Sequence, residues 1–417
     1  MVKADSDKYK NMLKEVRKLC EKLNDIIDDD IVIRILTKCQ ESVIVIGESL
    51  EKIERANEKE VLKKLQTVNK LEQLCELLYQ YSQKMERNIR KEIIRIIDNI
   101  ICDIDTIPRT YRVTFLPYKA AMWDSLESIW REFAASDECE TSVVPIPYFE
   151  ANRKTNQWDT CYEGNKYPDY VPVVNFQDYL LGQKRPDLVF VHNPFDQFNN
   201  VTTVHPAYYS AELKKSCGKL VYVPYYVNPG FISDDYNELP LLYRSDYIIV
   251  QSEKAKETCK DFPYYNRVLA LGSPKFDKVV NLYNEKVAPP EEWNINLEEK
   301  KCILLNTTLA DFLESGELLM NKLYKMFEIA LDRNDIVIVW RPHPLLKGTV
   351  KAMRPQYIEK YDELVQYFID NKVGVYDTTA DVSRAVAVSD AYVGSHYSSI
   401  IALFEVINKP IFRIDSK

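Results

Sequence analysis

Glycine is scarce in this chain. There are 10 glycines among 417 residues, and no two of them stand as Gly-x-Gly. Loops that close their backbone around a phosphate need several, so the dinucleotide-binding fingerprint, the Walker A loop and the kinase glycine loop are all excluded. Nine cysteines include no C-x-x-C pair. That excludes a zinc ribbon or a redox dithiol and leaves reduced, mostly buried thiols. No apolar run approaches the ~18 residues that span a bilayer. No basic-then-apolar leader opens the sequence, so export through a signal peptide is not expected. The reading is a cytoplasmic protein, with the inner face of the membrane as a peripheral station. A net charge of −8 lacks the surplus of Lys and Arg that broad nucleic-acid binding requires.

Residues 1–107 lack Trp, Phe and Pro and contain one glycine, Gly47. Acidic and basic residues are nearly balanced there. Ile93, Ile96, Ile97, Ile100 and Ile101 fall on one helical face, with Arg95, Asp98 and Asn99 opposite. The stretch 57–102 is expected to form one or two long helices after a shorter pair. Such a region packs on the main body or on a second copy of the chain, giving a homo-oligomer. A membrane-surface helix would need a basic polar face, and the face here is mixed. Asp28-Asp29-Asp30 reads as a solvated turn.

From Tyr111 onward, short β-branched runs alternate with amphipathic stretches. Strands are expected at 112–116, 142–146, 188–191, 220–223, 247–250 and 267–271. Continuous apolar runs of this kind suit strands buried on both faces of a parallel sheet. Val287 to Trp293, with Pro289 and Pro290 among acids, reads as a linker. A second set of strands follows at 302–305, 336–340, 373–376, 391–393 and 410–413. The expected fold class is therefore α/β: two Rossmann-like domains facing across a cleft, as in GT-B transferases, after an α-helical N-terminal region. The expected domains are 1–107, 108–286 and 294–417. Doubly wound sheets bind ligands at the carboxyl ends of their strands.

Two strand ends stand out. Ile336 to Trp340 runs into Arg341-Pro342-His343-Pro344. Arg341 can donate several hydrogen bonds to phosphate, and a protonated His343 can add one. The strand ending at Gly394 leads through Ser395, His396 and Tyr397 to Ser398 and Ser399 at a helix start, where free amides favour anions. One serine would suffice as a cap, and this run holds more. No Asp-x-Asp ends a strand of either α/β domain, so no metal ligands and no cofactor are expected.

With these motifs the chain resembles the CDP-glycerol glycerophosphotransferases of teichoic-acid synthesis. The resemblance rests on Arg341-Pro342-His343-Pro344, Asp381 with Asp390, Tyr397-Ser398-Ser399, Asn408-Lys409-Pro410-Ile411, Gly272-Ser273-Pro274-Lys275-Phe276-Asp277 and Asn306-Thr307-Thr308. It implies a transferase that moves a polyol phosphate from a CDP-activated donor to a polymer, glycan or lipid-linked acceptor, releasing CMP. The expected CDP site comprises Arg341, Ser395, His396, Ser398, Ser399, Thr307 and Thr308.

The chain departs from the family twice. His396 stands where the family carries an aspartate, and Val223-Pro224-Tyr225-Tyr226 stands where it carries Trp-His-Gly with the catalytic histidine. His192, which follows a buried strand and should face the cleft, and His205, on the next loop, are the candidate bases. A neutral imidazole near pKa ~6.5 suits proton removal from an alcohol. His343 completes the catalytic set. Asp196 could orient either base, and Lys119 and Asp124 are further cleft candidates. A nucleotide-sugar glycosyltransferase and an inactive binding homologue remain as alternatives.

Overall fold

The computed structural model describes residues 3–23, 28–51, 58–107, 110–152, 155–227, 234–295, 297, 300–379, 381–396 and 398–414. Four helices open the chain: α1 (Lys3–Lys22), α2 (Asp29–Glu51), α3 (Glu58–Lys84) and α4 (Arg87–Thr106). Each packs on two others, α1 on α2 and α4, α3 on α2 and α4. Such a ring closes because each helix carries apolar residues at helical spacing on one side. In α4 these are Ile93, Ile96, Ile97, Ile100 and Ile104, all buried. The bundle core runs from Tyr9 to Ile107 and includes no residue of the later domains. Among the described residues, none before Thr110 is in a strand.

Among the described residues, fourteen strands follow: β1 (Tyr111–Leu116), β2 (Cys139–Val143), β3 (Tyr148–Asn152), β4 (Gln157–Cys161), β5 (Leu188–Val191), β6 (Thr202–Val204), β7 (Lys219–Tyr222), β8 (Tyr247–Val250), β9 (Val268–Ala270), β10 (Lys301–Thr307), β11 (Ile336–Pro342), β12 (Gly374–Tyr376), β13 (Ala391–Ser395) and β14 (Ile411–Ile414). The first sheet has the order β2-β1-β5-β7-β8-β9 and the second β12-β11-β10-β13-β14. Every pairing within both sheets is parallel. The strand order reverses between β1 and β5 in the first sheet and between β10 and β13 in the second. Crevices for ligands open at such reversals.

The second expected strand is shifted: β2 ends at Val143, before Pro145. The amides of Val144 and Ile146 still donate to the carbonyls of Phe115 and Pro117. A small antiparallel sheet, β4-β3-β6, was not foreseen. Its strand β4 is largely exposed and too polar to read as a strand.

Three aspartates just before strands tie the parallel sheets at their amino ends. Asp187 accepts from the Arg112 amide at 2.9 Å, Asp246 from Leu220 at 2.8 Å and Asp390 from Cys302 at 2.8 Å. Asp390 therefore brackets the sheet at the edge away from the ligand crevice.

The helix Pro274–Asn284 joins the two α/β domains. Val279 is fully buried in the core of the second sheet, alongside Val386 and Phe404, with Phe276 and Val280 packed against it. Lys275, on its first turn, reaches both carboxylate oxygens of Asp124 in the first domain, at 2.7 and 2.8 Å. This helix, which lies before the expected boundary at 286, thus packs its apolar side on the second core and ties its first turn to the first domain. Trp293 likewise is no linker residue. It is buried in the second core, and its indole N–H donates to Asp377 at 3.0 Å.

The bundle abuts the amino ends of the first sheet's strands. Asp7 of α1 lines a hollow with Tyr111, Leu188 and Lys219, where β1, β5 and β7 begin. The ligand crevices lie at the opposite edge. A core separate from the rest predicts separate unfolding. Ile97→Ala, which empties a fully buried site, should destabilise the bundle by about 2–5 kcal/mol. Denaturant unfolding followed by bundle and α/β probes should show only the bundle transition moving. A single transition shifting as one would contradict this.

Candidate active site

The carboxyl ends of the two sheets meet across the helix Pro274–Asn284. Its Lys275 pairs with Asp124, beyond β1, and its Lys278 lies 3.4 Å from Asp381, beyond β12. Ser128 also donates to Asp277 of this helix at 2.6 Å. The motif Gly272-Ser273-Pro274-Lys275-Phe276-Asp277 thus carries the contacts that set one sheet against the other. Gly272, at φ +103°, takes the left-handed turn that a side chain would disfavour.

At the first sheet's reversal, between β1 and β5, stands His192. The expectation that its ring faces the cleft is corrected: the residue is fully buried. Its Nε2 accepts the Tyr118 amide at 3.1 Å, and its Nδ1 lies 2.9 Å from the Ser125 hydroxyl. Ser125 in turn donates to the Met122 carbonyl, so the imidazole carries its proton on Nδ1. Burial, and then the nearby charge of Lys275, pull its pKa down to about 3. Its Nε2 lone pair is engaged by the Tyr118 amide, and the residue has no exposed surface.

His205 is also misplaced for that role. It lies beside β6 of the small sheet, its Nδ1 accepts the Ala207 amide at 3.2 Å, and its ring stacks on Phe149. Asp196 orients neither histidine. It accepts from the Ser210 amide and hydroxyl at 2.8 and 2.5 Å. Lys119 pairs with Glu150.

In the second domain, β10 and β13 end side by side at the reversal. Thr308 caps the long helix Leu309–Leu331 in a capping box with Asp311. Ser395 donates to the same carboxylate at 2.9 Å, and its hydroxyl lies 3.2 Å from that of Thr308. Gly394 makes this approach possible, since a Cβ there would sit 2.2 Å from the Asn306 carbonyl oxygen. Thr307 is buried and accepts the Trp340 indole at 3.2 Å. Ser398 is buried as well and accepts the Ile400 amide. Ser399 and His396 are exposed, and the Ser399 side chain does not cap the helix Ile400–Val406. Tyr397 lies outside the described residues.

Arg341 does not project from its strand end to meet a ligand. Its guanidinium pairs with Asp377 and donates to the Thr379 hydroxyl at 3.2 Å and carbonyl at 2.6 Å. Asp377, with no exposed side-chain surface, also holds Trp293 and the Thr379 amide. Arg341 therefore fixes the loop beyond β12. Two residues along, just past the end of β11, the His343 amide donates to the Thr307 carbonyl at 2.9 Å, and its Nδ1 accepts the Leu345 amide at 3.2 Å. Desolvation lowers the pKa of this imidazole, which favours the neutral ring over the protonated one expected, and a neutral ring that accepts on Nδ1 carries its proton on Nε2. Of the expected donor site, Thr307, Ser395 and Ser398 are inward supports. Thr308, His343, His396 and Ser399 are the more accessible members.

The Asn408-Lys409-Pro410-Ile411 motif also has a structural account. The Lys409 ammonium donates to the Ala387 carbonyl at 2.7 Å and to that of Ser389, closing the carboxyl end of the helix Val382–Val388. It also lies over the Tyr283 ring at 4.7 Å. Asp377 and Asp311 were missed in the sequence. Each has a readable signal: Asp377 follows directly on a strand, and Asp311 stands three residues after a capping threonine.

Residues 227–415 match the family described as CDP-glycerol:poly(glycerophosphate) glycerophosphotransferase. No curated protein matches the sequence. Among solved structures, the chain is similar to the UDP-GlcNAc 2-epimerase of Methanocaldococcus jannaschii, with 16% identity over 72% of this chain and 83% of that one and a TM-score of 0.45. It is also similar to the wall teichoic acid polymerase TagF, with 16% identity over 86% and 79% and a TM-score of 0.43.

Two outcomes follow from this geometry. Arg341→Ala leaves the buried Asp377 without its cation and should destabilise the second domain by about 3–5 kcal/mol, read by chemical denaturation. Unchanged stability would show that the pair is dispensable. For His192, nitrogen-detected NMR should find the Nδ1–H tautomer unchanged from pH 8 to pH 4. Because the unfolded chain takes up this proton near pH ~6.5 and the folded chain only near 3, stability should fall as pH drops below the unfolded value. Titration of His192 near pH 6 in the folded protein would overturn the assignment.

Proposed function

We propose, from the match of residues 227–415 to the family described as CDP-glycerol:poly(glycerophosphate) glycerophosphotransferase, that this chain transfers glycerol phosphate or a similar polyol phosphate from a CDP-activated donor. An acceptor hydroxyl of a polymer, glycan or lipid-linked primer attacks the β-phosphorus. The bond to the bridging oxygen breaks, and CMP leaves with the electron pair. Such reactions are catalysed mainly by positioning and by donors aimed at developing charge.

The observation that carries this reading is the fixed tautomer of His343 beside the reversal of the second sheet. The Leu345 amide occupies Nδ1, which leaves Nε2–H as a donor next to the strand end at Thr307. With the exposed Ser399 hydroxyl, it would receive the diphosphate of the donor. Burying the other hydroxyls keeps this surface rigid. The acceptor would enter from the first domain, whose strand ends face it across Lys275 and Asp124. Neither His192 nor His205 supplies the base in this reading. Among the described residues no helix is long and apolar enough to cross a membrane. In this reading, lipid-linked acceptors would be met peripherally, at the inner face.

The test is nucleotide release by the full chain with CDP-glycerol, CDP-ribitol and UDP-N-acetylglucosamine, each with a glycerol-phosphate-primed acceptor. CMP should appear with a CDP-alcohol and depend on the acceptor. His343→Ala should lower kcat by ~10²-fold, as loss of one donor to developing charge does, and weaken CDP binding less. Release from the UDP-sugar alone would favour a glycosyltransferase, and release from none of them an inactive homologue.

A further inference from the structure

We propose that the groove between α2 and α3 of the N-terminal bundle is a docking site for a basic amphipathic helix of a partner protein. The groove encloses about 480 Å³ on the outer face of the bundle. Its floor is apolar, made by Val43 of α2 with Val68 and Leu71 of α3, which are buried in the bundle core. Its walls are apolar too, and they are exposed: Ile44 is 49% and Tyr79 55% accessible. On α3 the stripe continues toward the amino end through Leu65, 54% accessible. The lining positions recur at i, i+3, i+4 and i+7 on both helices, Gln40, Val43, Ile44 and Gly47 on α2 and Val68, Leu71, Glu72 and Cys75 on α3, the spacing of a surface along which a third helix can lie.

Gly47 gives the groove its room. It lies within α2, where glycine costs about 1 kcal/mol relative to alanine. A Cβ built on it meets nothing within 4 Å, so neither bundle packing nor backbone conformation calls for a glycine. A helix without a Cβ there presents a notch, and a notch is what an incoming side chain needs.

Charge selects the occupant. Four of the lining residues are glutamates, Glu48 and Glu51 on α2 and Glu72 and Glu76 on α3, and none is basic. An apolar trough with an acidic rim is complementary to a helix whose apolar stripe is flanked by Lys and Arg. The same rim disfavours two other occupants. A second copy docking by twofold symmetry would set acidic rim against acidic rim. An anionic membrane surface would be repelled. The bundle sits at the amino edge of the first sheet, so a partner held there leaves the crevices of the catalytic domains open.

The experiment uses the full chain and two fluorescent 18-residue peptides, both helix-forming with leucines at i, i+3, i+4 and i+7. One carries Lys and Arg beside the stripe, and the other Glu at the same positions. The basic peptide should bind, measured by anisotropy, and bind more weakly as salt rises. The acidic twin should not. Gly47→Leu, which fills the notch without touching the bundle core, should weaken binding at least about tenfold (~1.4 kcal/mol) while circular dichroism shows no loss of helix and thermal unfolding comes no earlier than in the parent. Glu72→Lys with Glu76→Lys should weaken it similarly and flatten the salt dependence. Binding of both peptides alike, or binding indifferent to Gly47→Leu, would overturn the proposal. So would a concentration-dependent dimer abolished by Gly47→Leu, or flotation with phosphatidylserine vesicles abolished by it. Those results would assign the groove to a second copy or to lipid.

Discussion

The ammonium of Lys275 lies against both oxygens of the Asp124 carboxylate, with little of either side chain in contact with water. One partner extends from a helix rooted in the second core, and the other follows the first strand of the first sheet. With the Ser128–Asp277 hydrogen bond beside it, this pair ties one sheet to the helix that packs on the other. It costs desolvation at both ends, and removing either charge would strand the other in a poorly hydrated site. The same cation also bears on His192, where its field adds to burial in keeping the imidazole neutral. One side chain therefore links domain geometry to the protonation state of the first sheet's reversal point.

The second domain uses its polar residues in the same economical way. Asp377 takes the Trp293 indole, the Arg341 guanidinium and two donors of Thr379. Asp311 takes two hydroxyls and a backbone amide. Each buried carboxylate is saturated by donors from separate segments, so each fixes several loops at once. The loops that carry His343 and Ser399 are held from beneath by residues that never meet solvent.

Much of the fold was legible in the sequence because its cause is local. The isoleucine spacing of α4 and the β-branched runs of β5, β7, β10 and β11 state their own burial. The reversal points could not be read, because strand order depends on which neighbours pair across tens of residues. At the candidate site, residue types were easier to find than their tasks. Arg341 carries a charge suited to phosphate, but the acid that claims it lies 36 positions further along. His192 follows a buried strand as the reading required, but which way its ring turns depends on Tyr118 and Ser125. Asp390 shows how a motif residue can be structural. Pro186-Asp187, Ser245-Asp246 and Ser389-Asp390 repeat one pattern before a strand, and the repetition is the signal that Asp390 is a bracket.

The parallel course of the first sheet has a practical bearing. Its strands begin at the bundle and run away from it, so the chain has a handle at one end and its working surface at the other. Whatever grips the handle, whether a natural partner, an affinity surface or a fused reporter, pulls along the strands and not across the crevice. A ligand at the strand ends could be met while the protein stays tethered, with the tether never entering its path.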